Sequence, residues 1–272
     1  MPHSVAEQVV LITGGGRGIG RATAEMLAAA GALVAVSARS PHQIRATTDA
    51  LQALGADAIG IVADVAVADD VRRLVDQVVE VFGTVDILVN NAGALAPVGM
   101  AWEVDPDEWA YNIGVNLVGA YRLCHAVVPL MIEEGGGRII NVSTGAARRV
   151  NPGWSAYSAA KAGLDQLTRV LAAEVAPHGI CVNAIYPGVT DTRMQADIRT
   201  LSAEQFPNVD RFRQLHAEGR LRDPREPAEL IFWLCTSAAQ DVTGEVFDIN
   251  DASVRERVAR DLNRPVLPGP ER

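Results

Sequence analysis

Short, almost unbroken apolar runs alternate along this chain with longer stretches of 3.6-residue periodicity. Seven runs stand out: Val9 to Ile12, Leu33 to Ser37, Ala58 to Val62, Ile87 to Val89, Ile139 to Val142, Cys181 to Ile185 and Val246 to Ile249. Hydrophobicity that is continuous rather than alternating marks strands covered on both faces, the habit of a parallel sheet. Between them, residues 22–31 (ATAEMLAAAG), 71–83 (VRRLVDQVVEVFG) and 162–179 (AGLDQLTRVLAAEVAPHG) carry apolar side chains at helical spacing. Each ends in Gly, the residue favoured just past a helix C-terminus. The alternation predicts an α/β fold with helices on both faces of one parallel sheet.

No linker, repeat or low-complexity stretch interrupts this rhythm before about residue 252, so 1–252 is read as one domain. The remainder, 253–272, ends in the Pro-rich RPVLPGPER and is expected to be a loose or partner-contacting tail. Residues 191–224 break the alternation between two core elements, which suits a substrate lid better than scaffold.

Composition narrows the picture little. With 49% hydrophobic and 21% charged residues the chain reads as an ordinary globular enzyme. Its net charge of -9 disfavours nucleic acid and anionic membranes as partners. There is no run of 18 consecutive apolar residues and no signal-like N-terminus, so the expected setting is cytoplasmic. Cys124, Cys181 and Cys235 are an odd, scattered set in apolar segments, read as reduced and buried, and no metal site is expected. One compositional fact matters more. Of 24 basic residues only Lys161 is a lysine. A bias toward Arg explains the other positions but not why this one, four residues after Tyr157, stays Lys.

The glycine turn TGGGRGIG (13–20) follows the first strand and opens the first helix. Gly14, Gly16, Gly18 and Gly20 do not keep the G-x-G-x-x-G spacing, yet the physics carries over. A bare backbone lets a pyrophosphate approach N–H groups at the positive end of a helix, with Arg17 and Ile19 beside it. After the second strand the chain reads SARS, with Ala38 where an acid would bind a ribose 2′-hydroxyl and Arg39 next. Two arginines and no acid suit a 2′-phosphate, which favours NADP(H) over NAD(H). Asp64 and Val65, in ADV after the third strand, and Asn91, Ala92 and Gly93, in NNAG after the fourth, sit where such sheets bind their ligand.

TGGGRGIG, ADV, NNAG, Asn116, YSAAK (157–161) and PGVTDT (187–192), in this order, resemble the short-chain dehydrogenase/reductase family over about residues 8–250. The resemblance implies a single Rossmann-type, doubly wound domain with a seven-stranded parallel sheet, hydride transfer, and a homodimer or homotetramer. It gives Tyr157 the role of general acid in carbonyl reduction, with Lys161, on the same helical face, holding the nicotinamide ribose and lowering the phenol's pKa from its usual value near ~10. Asn116 would support a proton-relay water, and the cofactor-binding segment with Pro187 and Gly188 would hold the carboxamide through Val189 and Thr192. The family's catalytic hydroxyl is usually a serine thirteen residues before the Tyr. Here that position is Thr144, with Ser143 as the fallback.

VFDINDA (246–252), FRQLHAEGRL (212–221) and PGWSAYSAAKAGLD (152–165) further resemble the sepiapterin reductase and benzil reductase branch, which implies a vicinal dicarbonyl substrate reduced with NADPH. Asp248 matches the pterin-anchoring acid of that branch or a structural acid of the wider family. Leu95, Ala146, Val150, Trp154, Met194 and Phe206 or Phe212 are expected to form an apolar pocket, with Arg148 and Arg149 either solvated or facing an acidic substrate group. Alternatives are a 3-oxoacyl-thioester reductase, another alcohol dehydrogenase of the family, and a nucleotide-sensing regulator without turnover. Glu133, Glu134, Ala173 and His178, where a carrier-protein reductase would want basic residues, weigh against the first.

Overall fold

A computed structural model describes residues 4–269. The seven apolar runs become β1 (Val9–Thr13), β2 (Leu33–Ala38), β3 (Ala58–Val62), β4 (Ile87–Asn90), β5 (Gly137–Val142), β6 (Ile180–Tyr186) and β7 (Val246–Asp248). All pair in parallel, in the order β3-β2-β1-β4-β5-β6-β7. The order reverses direction between β1 and β4, and the crevice at their C-terminal ends is where a doubly wound sheet takes its ligand.

The β1 side chains show how the layers form. Val10 and Ile12 join one apolar core, while Val9 and Leu11 join the other on the opposite face. The first core is closed by α1 (Gly18–Ala29), α9 (Arg225–Cys235) and α10 (Ala252–Leu262), the second by α3 (Ala68–Phe82) and α5 (Gly119–Glu133). The helix α2 (Pro41–Ala53) starts at Pro41, with the Ser40 hydroxyl accepting from Gln43 N. The 21-residue α6 (Ser155–Val175) carries Tyr157 and Lys161. α4 (Pro106–Ile113) runs through a widened π turn, Gly114–Val118, into α5. This joined run, Pro106–Glu133, is long and apolar enough to cross a membrane by length and composition, and here it packs against α3 and α6.

The expected lid contains α7 (Arg193–Arg199) and α8 (Val209–Ala217), which close a third apolar cluster of Ala146, Trp154, Tyr157, Ile198, Phe206, Val209 and Phe212. The boundary drawn at residue 252 needs correction, because that residue opens α10 rather than a tail. Asp251 caps the helix by accepting from Ser253 N at 2.9 Å, Val258 and Ala259 are buried, and Trp233 Nε1 donates to Asp261 at 3.1 Å. Only the segment after Asn263 lacks regular structure, and the expected tail's last three residues lie outside the described ones.

Candidate active site

The crevice opens into a cavity of about 870 Å3 that runs from the glycine turn to the lid. Gly14 and Gly18 adopt left-handed backbone, at φ +64° and +55°, which a side chain would strain. Asn91 Nδ2 pins the turn by donating to Thr13 O at 2.9 Å and Gly14 O at 3.0 Å. Gly20 does not line the cavity; it lets α1 sit against this knot, and a Cβ there would overlap Asn91 Nδ2 and Gly14 O. Gly20→Ala is therefore expected to cost about 1–3 kcal/mol of stability. It should also weaken dinucleotide binding at the turn, which a thermal melt with a fluorescence titration would read together.

At the far end of β2, Ala38 leaves no carboxylate, and Arg17 and Arg39 both line the cavity. Arg39 is tied to its own chain as well. Its Nη1 donates to the Tyr111 hydroxyl at 2.7 Å, Tyr111 donates to Asp64 Oδ2 at 2.8 Å, and the Arg39–Asp64 ion pair is 3.9 Å. Burial and the Asp64 hydrogen bond push the Tyr111 phenol up, so it stays a donor. Asp64 Oδ1 accepts from Ala66 N, leaving Asp64 engaged on both oxygens by its own chain. Tyr111 was invisible in the sequence because it reaches this corner from α4.

Around the middle of the cavity lie Tyr157, Lys161, Ser143 and Thr144. Burial pushes the Tyr157 phenol up to about 12, and the hydrogen bond from the Thr144 hydroxyl pulls it part of the way back. The expected lowering by Lys161 is absent, because Nζ turns to Val142 O, donating at 2.7 Å. Burial brings the Lys161 ammonium down to about 8, against the raising effect of Asp165. The two candidate hydroxyls separate cleanly: Ser143 Oγ is buried and lies 3.5 Å from Lys161 O, while Thr144 is the one beside the phenol. Asn116 sits behind the cavity in the π turn, a feature often found at functional sites. Its Nδ2 donates to Ala94 O at 2.7 Å and Asn112 Oδ1 at 2.9 Å, and its Oδ1 accepts from Ala94 N, so its amide braces the loop after β4.

The remaining wall is aromatic. Trp154 stacks on Phe206 at 4.4 Å with 6° between planes and meets Tyr157 edge-on at 5.8 Å. Phe206 is fully buried behind Trp154, while Phe212, Leu95, Ala146 and Met194 face the cavity. Val150 does not belong to this pocket: its loop turns it outward, 92% exposed, and Arg149 and Asn151 line the mouth instead. Arg148 instead lies over the Tyr186 ring, 5.0 Å from its centroid. Asp248 lines the opposite side, its Oδ1 accepting from Asn250 N and Nδ2 at 2.9 Å each. Pro187, Gly188, Val189 and Thr192 complete the nucleotide side with Ile19, Val65, Ala92 and Gly93. Sequence reading missed Tyr186, Asp165, Arg222 and the tail residues Pro268 and Gly269. Asp165 could have been found by continuing the four-residue step from Tyr157 through Lys161.

Comparison with known proteins gives this geometry its relatives. A short-chain reductase protein, NovJ, from Streptomyces niveus is 40% identical over 245 residues, 90% of this chain and 93% of its own length. The 3-oxoacyl-[acyl-carrier-protein] reductase FabG of Escherichia coli K12 is 37% identical over 243 residues, covering 89% and 96%. Among solved structures, levodione reductase superposes with a TM-score of 0.83 at 32% identity, covering 90% and 96%. NAD+-bound xylitol dehydrogenase superposes with a TM-score of 0.83 at 28% identity, covering 90% and 98%. The sequence model of the short chain dehydrogenases matches residues 8–202, and with these likenesses the chain belongs to the short-chain dehydrogenase/reductase family of nicotinamide-dependent oxidoreductases.

Proposed function

We propose that the protein is an NADP(H)-dependent carbonyl reductase acting on a small ketone, a vicinal dicarbonyl in first place. The observation that carries this is the continuity of one cavity from the glycine turn, past Thr144 and Tyr157, to the Trp154–Phe212 wall. The residues present fit a dinucleotide: Gly14 and Gly18 leave the backbone bare at the N-terminus of α1, and Arg17, whose side chain has no hydrogen-bond or ion-pair partner among the described residues, lines the cavity where β2 ends without an acid. When bound, the dinucleotide supplies the hydride. The chain's own residues do the rest. Thr144 donates to the substrate oxygen, Tyr157 Oη delivers the proton to that oxygen as negative charge builds, and the Lys161 ammonium stabilises the site's anionic groups. The aromatic wall excludes water and fits a flat, apolar substituent.

A second reading, reduction of a 3-oxoacyl thioester, is favoured by one observation, the 37% identity to FabG over nearly its whole length. Assembly as a homodimer or homotetramer is supported by the exposed apolar side chains Tyr121 and Ile132 on α5 and Val170 on α6. One assay plate separates the substrate readings: NADPH and NADH against benzil, 1-phenyl-1,2-propanedione, sepiapterin, a 3-oxoacyl thioester and simple alcohols. NADPH is expected to outperform NADH at least about tenfold, the worth of one charge-assisted hydrogen bond. Diketones should outperform the thioester. NADH in the lead overturns the role given to Arg17, and the thioester in the lead replaces the first reading with the second.

A further inference from the structure

Helix α6 presents three titratable side chains at four-residue steps, Tyr157, Lys161 and Asp165, and all three are buried. The first two belong to the proposed chemistry. Asp165 is 4% exposed and unused by it. A carboxylate so deep is costly unless its charge and its oxygens are met. Oδ2 is met by the Tyr186 hydroxyl, in a short hydrogen bond from the C-terminal end of β6. Oδ1 has no hydrogen-bond partner among the described residues. Tyr186 in turn lines the cavity and carries the Arg148 guanidinium over its ring.

We propose that Asp165, gripped by Tyr186, is the buried counter-ion that keeps Lys161 an ammonium at the back of the site. Residues i and i+4 share a helical face, so the carboxylate lies one turn beyond the amine. Among the described residues Lys161 makes no ion pair within 4.0 Å. Its Nζ is held by Val142 O, which offers a dipole but no full charge. The polar and titratable groups of the elements packed here are the Tyr157 phenol one turn back on α6, the Ser143 hydroxyl from the end of β5, 3.5 Å from the Lys161 carbonyl, and Tyr186 from β6, on Asp165. Arg148 and Arg169 act on Tyr186 from the loop after β5 and from the next turn of α6. Among these groups Asp165 is the one anion, and its charge raises the pKa of an amine that burial drives down. Tyr186 keeps the carboxylate in place: burial and Asp165 together push its phenol up, so it remains a donor. Asp165 is a positioning residue, acting on substrate only through Lys161.

This inference rests on the reading of Lys161 as the cation of the site, yet its test needs no turnover. Because Lys161 is the only lysine, protein grown on lysine labelled with 13C at Cε gives one lysine signal, whose shift follows protonation. Its titration midpoint is expected to fall by about one pH unit in Asp165→Asn and less in Tyr186→Phe, the scale of losing one near opposite charge. In turnover assays the alkaline limb of kcat/KM should move down by the same amount, which a merely structural change would not produce. A midpoint that does not fall in either folded variant overturns the proposal. A fall in Asp165→Asn with none in Tyr186→Phe overturns the part assigned to Tyr186. If Asp165→Asn does not fold, Tyr186→Phe decides by the same measurement. Should every carbonyl substrate fail, the NMR titration still stands, so failure of the reductase reading is distinguishable from failure of this one.

Discussion

Tyr157→Phe is expected to lower carbonyl reduction roughly 10²- to 10⁴-fold, the usual worth of a positioned proton donor. The substitution removes one oxygen and little else. The ring packs edge-on against Trp154 at 5.8 Å within the apolar cluster under the lid, and a phenyl ring keeps that contact. Fold and affinity for the nicotinamide dinucleotide should therefore survive, which a melt and a fluorescence titration would show. The direction of the phenol's shift adds a second expectation. Burial holds Tyr157 at about 12, so it carries its proton throughout the neutral range and does not limit reduction as pH rises. Alcohol oxidation needs the phenolate, so its rate should climb with pH across the neutral range, below the pH of about 8 at which Lys161 loses its proton and reduction begins to fall. An undiminished reduction rate in the variant would mean the proton comes from another group.

Much of the fold was legible because buried parallel strands write themselves as apolar runs. Val9 to Ile12 is readable without knowing which residue faces which helix, since both faces are covered. The ends were less legible. Residues from 253 on were read as a tail because the chain ends in the Pro-rich RPVLPGPER, yet Val258 and Ala259 are buried and Val258 joins the core formed with α9. The pairing Thr144 with Tyr157 and Lys161 was legible because it lies within one strand end and one helix. The contacts of Arg39 were not legible for the opposite reason. Its partners Asp64 and Tyr111 come from the loop after β3 and from α4, 25 and 72 positions away, and no local pattern announces such a meeting. Val150 was misplaced because an apolar residue in a loop gives no sign of which way it points.

Lys161→Arg tests whether the chain's one lysine is a requirement or a survivor of codon bias, and it is expected to cut turnover about 10²-fold or more although it conserves charge. The Lys161 side chain is 3% exposed and its Nζ sits 2.7 Å from Val142 O. A guanidinium brings a planar fork with five donors into a space where the compact ammonium is held by Val142 O. The donors that find no acceptor, and the added bulk beside Tyr157, each cost on the order of 1–3 kcal/mol. The pH profile separates charge from shape. Burial sets the native amine at about 8, so it is charged below that pH and its contribution is lost as pH rises through it. Arginine keeps its charge throughout. If charge alone mattered, the variant would match the native rate at pH 7 and outlast it at pH 9. If shape matters as well, the variant is slow at both, with a flat alkaline limb. Rates measured at these two pH values decide: a fast, pH-independent Lys161→Arg enzyme would show that any cation serves here, and that the lone lysine among 24 basic residues is an accident.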